Sequence, residues 1–348
     1  MKSNSGNFFE DFTLGRVLVH ATPLTVSAGD IALYRALTGG RHAYYSSEQF
    51  AGLVDEHALQ VDPLLAFHVV FGKTVPDISL NAVANLGYAE GKFLRPVFPG
   101  DTLRAVSEVI GHKQNSSGKT GIVYVRTRGL NQRDEEVLSY VRWVMVRKRD
   151  AASPAPEPIV PELRSAMQPG RKGLFVRNYA GWDDALAGSI YRYEDYEIGE
   201  KIDHVDGMTV EEAEHQIATR LYQNTAKVHF DAHAQKESRF GKRLIYGGVV
   251  ISLARALSFN GLGNAAEMIG INAGTHAGPL FAGETVYAWS EVLDKVELSD
   301  TTGALRLRLV ATKDQTCEAF PLRTEEGAYE ASVLLDFDYW AAIPRAKT

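Results

Sequence analysis

The sequence has little of what would commit it to most function classes. Cysteine is nearly absent. Cys317 is the single thiol in 348 residues, so no intrachain disulfide can form, and the expected compartment is a reducing cytoplasm. Cys317 sits in the polar run KDQTCEAF with no histidine close in sequence, which leaves it nothing to activate it as a nucleophile. Positive charge is also scarce. Lys and Arg number 37 against 43 Asp and Glu, for a net charge of −6, and the basic residues are scattered, so no nucleic-acid partner is expected. No apolar run reaches the roughly 18 residues of a membrane span, and no membrane association is expected. The opening MKSNSGNFFEDF lacks the apolar core of a secretory signal. What remains is an ordinary globular composition, 45% hydrophobic and 23% charged, at a length that suggests about two domains.

An internal repeat explains the length. PVFPGDTLRAVSEVI from Pro96 recurs as PLFAGETVYAWSEVL from Pro279, a shift of 183 with eight of fifteen positions identical. Earlier in each copy, Glu10, Asp11, Gly15, His20, Thr25 and Val26 match Glu194, Asp195, Gly199, His204, Thr209 and Val210 at a shift of 184. Two blocks in one order at nearly one offset mark a tandem duplication. Its expected parts are residues 1–150, a linker and surface segment over 151–188, and residues 189–348. The Pro- and Ala-rich RDAASPAPEPIVPEL supplies an extended connection between the copies.

Each copy carries the same order of signals. A polar opening leads to an amphipathic helix, Ser27–Leu37 or Val210–Tyr222, the second with acids in its first turn. After a loop comes a helix apolar nearly all round, Pro63–Thr74 or Gly247–Phe259, which predicts burial. Alternating strands close each copy, such as Gly121–Arg128, Tyr140–Arg147 and Gly303–Leu309. An α+β unit follows, a buried helix wrapped by a curved antiparallel sheet.

Chemistry is concentrated in LYQNTAKVHFDAHAQKESRFGKRLIYGGVVISL, residues 221–253. His229 and Asp231 lie a short loop before the Gly247-Gly248 step that opens the apolar helix. Such a helix start offers free backbone N–H groups to an anion, and imidazole titrates near working pH.

These strings resemble the MaoC-like hydratases, whose fold is the hotdog; two fused copies give a double hotdog. NFFEDFTLG, LNAVANLGY, LYQNTAKVHF and LLDFDYWA are similar in particular to the mesaconyl-CoA hydratase (β-methylmalyl-CoA dehydratase) branch of that family. The resemblance implies reversible hydration of an α,β-unsaturated acyl-CoA, mesaconyl-CoA to β-methylmalyl-CoA. It also implies a homodimer and no cofactor beyond the CoA of the substrate. The family's loop reads S-G-D-x-N-P-[LI]-H-x-D, so its histidine falls on His229 and its last Asp on Asp231. The position of its catalytic Asp holds Asn224. The resemblance makes His229, Asn224 and Gly247 the catalytic candidates, with His229 as base and the Gly247 N–H as oxyanion donor. Asp231, Lys227, Arg243, Tyr246 and Gly248 are substrate-binding candidates. Lys227 and Arg255 are the cations considered for the substrate's free carboxylate, and Lys242 and Arg243 for the CoA phosphates. The repeat places Gly40 opposite Asn224, Tyr45 opposite His229 and, at the later shift, Leu64 opposite Gly247, so the first copy is expected to be catalytically degenerate.

Other readings carry less weight. His229 and His233 have the i, i+4 spacing of zinc ligands, but without a Glu motif or cysteine no metal is expected. Gly261-Leu-Gly-Asn-Ala-Ala follows a helix where a dinucleotide loop follows a strand. Gly72-Lys73-Thr74 lacks the upstream glycine of a phosphate loop. Rival functions are an acyl-CoA thioesterase, disfavoured by the absence of an acid on either apolar helix, and a non-catalytic acyl-CoA-binding protein.

Overall fold

A computed structural model describes residues 2–54, 59–169 and 177–346. In chain order the first half comprises β1 (Val17–Thr25), α1 (Ala28–Thr38), α2 (Ala43–Ser46), α3 (Glu48–Val54), α4 (Pro63–Ile78), β2 (Ala82–Phe93), β3 (Thr102–Gln114), β4 (Thr120–Leu130) and β5 (Glu136–Arg147). After the short α5 (Asp184–Ala187) the second half runs β6 (Lys201–Asp203), β7 (Met208–Thr209), α6 (Glu212–Leu221), α7 (Lys227–Phe230), α8 (Ala232–Gln235), α9 (Gly247–Leu257) and α10 (Phe259–Leu262). It ends with β8 (Glu267–His276), β9 (Thr285–Glu297), β10 (Thr302–Lys313) and β11 (Val333–Pro344). Among the described residues no helix is long and apolar enough to cross a membrane.

The strands form one antiparallel sheet in the order β1-β3-β4-β5-β2-β8-β11-β10-β9-β6, with β7 also on β9. Reading outward from the central β2–β8 pair gives the same order twice, so the sheet is two copies joined edge to edge. Tyr88 stands opposite Gly274, and Gly91 opposite Ile271. Joining the edges removes the exposed backbone that each half-sheet would otherwise leave open. Each half wraps its own central helix, α4 or α9, and the whole is a double hotdog of α+β class.

Local chemistry repeats with the topology. Ser27 caps α1 in a box with Asp30, and at the start of α6 the Glu214 carboxylate accepts the Glu211 N–H at 3.2 Å. His20 Nε2 and His204 Nε2 each meet a strand serine at 2.8 Å, Ser107 and Ser290. Asp101 and Glu284 accept the backbone N–H of Phe98 and Phe281. These paired bonds hold the first strand and the P-x-F-x-G-[DE]-T turn of each copy in place.

Two expectations need correcting. The connection up to Gly188 does not all lie on the surface, although 170–176 fall outside the described residues. Tyr179 and Trp182 are buried and pack with Phe50 and Trp340, and Trp182 Nε1 donates to Asn264 Oδ1 at 3.0 Å. Their aromatic area is worth more inside than the polar residues around them are worth outside. The counterpart of Gly247 is Pro63, not Leu64: each is the first residue of its helix, after Asp62 or Tyr246. The shift of 184 therefore persists into the central helices.

α4 and α9 meet across the pseudo-two-fold. Ser252 Oγ bonds His68 Nε2 at 2.8 Å and Tyr34 Oη at 2.9 Å. Farther along α4, Gly72 lies against the backbone of the second copy's loop. A Cβ built there would stand 1.7 Å from the Tyr222 carbonyl oxygen. Next to it the buried Lys73 ammonium donates to Gln223 Oε1. Gly72→Ala should therefore force the 222–229 loop off α4, costing about 1–3 kcal/mol or more. Thermal melts should show a clear fall in Tm for this variant. Gly52→Ala in α3, where a Cβ meets none of the described residues within 4 Å, should be neutral or slightly stabilising.

Candidate active site

The loop after α6 is shaped by its contacts with α4. Gln223 takes a left-handed conformation at φ 54°, and Asn224 then turns inward and is buried. The Asn224 Oδ1 accepts the Ala226 N–H at 3.2 Å, which leaves the Nδ2 amide as its free donor. α7 carries His229 back toward the start of α9. There the His229 Nδ1 donates to the Leu244 carbonyl at 2.9 Å. A carbonyl can only accept, so the proton resides on Nδ1 and the Nε2 lone pair is free. Burial pushes the imidazole down to about 4, against the opposing pull of the Leu244 carbonyl. His229 is thus neutral at neutral pH and able to take a proton.

The helix start is held by another imidazole. His215 Nε2, from α6, accepts the Tyr246 N–H at 2.9 Å. Burial first, then the neighbouring His229 and Arg243, keep His215 neutral with a value near 3. Tyr246, the cap residue of α9, provides no side-chain acceptor, and the Gly247 N–H has no acceptor among the described residues. The need for glycine is steric. A Cβ at Gly247 would stand 2.4 Å from the His276 ring, and one at Gly248 would strike the Tyr246 and His68 rings at 2.4 and 2.7 Å. The close approach is thus made by His276, at the end of β8.

The first half is built differently at the same place. Pro63 has no N–H to offer, and the Asp62 carboxylate already accepts the Leu64 N–H at 2.8 Å. No free amide cluster remains there for an anion. Tyr45 in place of His229 is buried, with its hydroxyl unpartnered among the described residues.

His229, Asn224, Tyr246 and Gly247 line one cavity of about 340 Å³. Its opposite wall comes from the first half: Phe71 and Val75 on α4, Asn85 and Tyr88 on β2, and Arg142 on β5. His276 completes the wall, sharing a hydrogen bond of 3.2 Å with Tyr88 Oη. Burial, with a smaller contribution from His229, holds His276 at about 4.

The remaining sequence candidates lie elsewhere. Asp231 caps α8, its Oδ1 accepting the Ala234 N–H at 3.0 Å. Lys227 is exposed at the start of α7, and Lys242 is exposed with its ammonium 4.1 Å from the Phe281 ring centroid. Arg243 turns away to Gln216 and Glu212 on α6. Gly248 is buried in the first turn of α9. Arg255 is held by His42, Ser258 and the carbonyls of Ala265 and Ala266, so its charge caps an irregular helix end and faces no cavity carboxylate site. None of these six lines the cavity. Sequence neighbourhood alone does not bring them to the cavity, because each side chain is turned to other partners or to solvent. Cys317 is buried and pushed up to about 11 by burial. Among the described residues no cluster of three potential metal ligands occurs.

Tyr88, Asn85, Arg142 and His276 were not among the sequence candidates. A signal existed for Arg142, which keeps strand phase with Val144 and Val146, both buried. An arginine in phase with core valines must itself point inward.

Comparison with known proteins shows the family and the fold. Residues 2–158 match the family profile described as mesaconyl-CoA hydratase, and residues 194–313 match the MaoC like domain. The chain is 63% identical to mesaconyl-CoA hydratase of Cereibacter sphaeroides, covering 99% of this chain and 100% of that one. It is 57% identical to β-methylmalyl-CoA dehydratase of Chloroflexus aurantiacus, covering 99% of each. A crystal structure of a MaoC domain dehydratase protein from Chloroflexus aurantiacus superposes with a TM-score of 0.97 at 57% identity over all of both chains. A double-hotdog protein of Mycobacterium tuberculosis shares the fold, with a TM-score of 0.79 at 24% identity over 98% of this chain and 99% of that one. With whole-length identity at this level, a duplicated sheet and one His-bearing loop facing a glycine-started helix, the chain belongs to the mesaconyl-CoA hydratase family of MaoC-like double-hotdog proteins.

Proposed function

We propose that the protein is a hydro-lyase that reversibly adds water to mesaconyl-CoA, forming β-methylmalyl-CoA, at a single site per chain. The observation that carries the reading is His229. It is a neutral imidazole with its Nδ1 proton pinned to the Leu244 carbonyl, and it lines the same cavity as the free first-turn amide of Gly247.

Hydration of a conjugated thioester needs three things. Water must lose a proton as it attacks, the enolate oxygen must be stabilised, and the α carbon must be protonated. His229 Nε2 takes the proton from water while oxygen bonds to the β carbon. The electrons of the double bond move onto the thioester oxygen, which lies at the Gly247 N–H and the positive end of α9. A donor in that position is worth about 3 kcal/mol of transition-state stabilisation. The imidazolium then returns the proton to the α carbon, restoring the thioester. Asn224 cannot exchange a proton as an Asp would; its Nδ2 orients the water oxygen. His276 and Tyr88 wall the reacting carbons from solvent. No step calls for a cofactor beyond the CoA of the substrate. The same reading takes the enzyme to be a cytoplasmic homodimer, supported by its single buried thiol and by the family pattern.

His229→Ala should lower kcat by about 100-fold or more, with a smaller fall in Tm because the Leu244 carbonyl loses its partner. A kcat near wild type would remove His229 from the role of base. Asn224→Asp tests the unusual amide, and a large gain in rate would count against water orientation by the amide. The pH dependence follows from the neutral base. Protonation inactivates it, so kcat/KM for hydration should be flat down to about pH 5 and fall through the imidazole value of about 4. Inflection near the ordinary histidine value would mean that the base is solvated in the working enzyme.

A further inference from the structure

The cavity contains a cation that the proton chemistry does not use. Arg142 is fully buried on β5 and has no carboxylate partner among the described residues. Its Nη2 donates to Thr74 Oγ1 at 2.8 Å and Ser79 Oγ at 3.2 Å, while Nε and Nη1 are buried without any acceptor. The guanidinium lies 4.2 Å from the Phe71 ring centroid, an arrangement that holds it in place without neutralising it. Burying a charge unpaired is among the costlier things a fold can do. Other orphaned polar groups line the same cavity. Both amide atoms of Asn85 and the hydroxyl of Tyr246 are buried without a partner among the described residues, and both residues line the cavity with Arg142. Unsatisfied donors converging on one cavity beside an uncompensated cation describe a site for an anion that arrives with the ligand.

We propose that Arg142, supported by Asn85 and Tyr246, binds the free carboxylate of the acyl group and so sets the enzyme's preference for dicarboxylic over monocarboxylic acyl-CoA thioesters. The inference rests on the hydratase reading above and deepens it. The carboxylate enters from the first-half wall, and His229 and Gly247 act on the double bond from the second-half wall. The substrate thus spans the interface of the two copies. The first copy has lost its own amide cluster at Pro63, yet it supplies the cation that chooses the substrate.

Discrimination between substrates tests this where overall activity would not. In Arg142→Met the ratio of kcat/KM for mesaconyl-CoA to that for crotonyl-CoA, which lacks the carboxylate, should fall by at least about 30-fold, mainly through KM. Arg142→Lys should restore part of the ratio. An unchanged ratio, with both substrates losing equally, would overturn the assignment and leave the hydratase reading standing. A wild-type enzyme that hydrates neither thioester would overturn both. If the variants do not fold, calorimetry on the wild-type chain gives the answer with two saturated thioesters that cannot react. Succinyl-CoA should bind at least about 30-fold more tightly than butyryl-CoA, and equal affinity would refute the proposal.

Discussion

The arrangement depends on one contact that leaves no room for a methyl group, the Gly72 backbone of α4 against the Tyr222 carbonyl. Tyr222 ends the α6 segment, and the turn that follows it sets Gln223, Asn224 and His229 in succession. α4 therefore acts as the template on which the second copy's loop is laid. Around it, Lys73 reaches Gln223, the His68 ring lies 4.7 Å from that of Tyr222, and Ser252 ties α9 to α4 and α1. Because α4 is buried along most of its length, it cannot shift without losing core contacts, and buried side chains of this size are worth about 1.5–3 kcal/mol each. The loop inherits that rigidity.

Duplication lets the two helix starts differ. In a symmetric ancestor each helix start would serve its own loop. Here one helix begins with Pro63 behind a capping Asp62, and the other with Gly247 behind Tyr246. The first start is closed to anions by chemistry: proline has no N–H, and the carboxylate takes up the next amide available. The second start stays open because neither Tyr246 nor a neighbour caps it, and because His276 occupies the space a Cβ would need. The first copy walls the cavity, contributing aromatic surface, Tyr88 and a buried cation.

Much of this was legible in the sequence because the signals were long and doubled. The apolar-all-round helices, the alternating strands and the two matched blocks each appear twice, and His229 and Gly247 stand out against their counterparts. Three features were not legible, each for its own reason. Tyr179 and Trp182 lie in a segment without a repeat partner, so nothing in the pattern distinguished them from linker. Lys227, Arg243 and Arg255 are charged and near the loop, but Lys227 faces solvent from a short helix, Arg243 turns to Gln216 and Glu212, and carbonyls hold Arg255. Arg142 and His276 come from strands far away in sequence, and only the β2–β8 joint and the wrapping of the sheet bring them to the loop. The one-residue ambiguity in the repeat also mattered: Leu64 would have retained an N–H that Pro63 lacks.

An imidazole and a helix-start amide of the second copy, in a cavity walled by the first, add water to a dicarboxylic enoyl thioester. Incubating the purified chain with mesaconyl-CoA and weighing the product tests it most directly. The expected product is a thioester heavier by one water, with no free CoA released and with its formation abolished in His229→Ala. Release of free CoA, or recovery of unchanged mesaconyl-CoA, would contradict it.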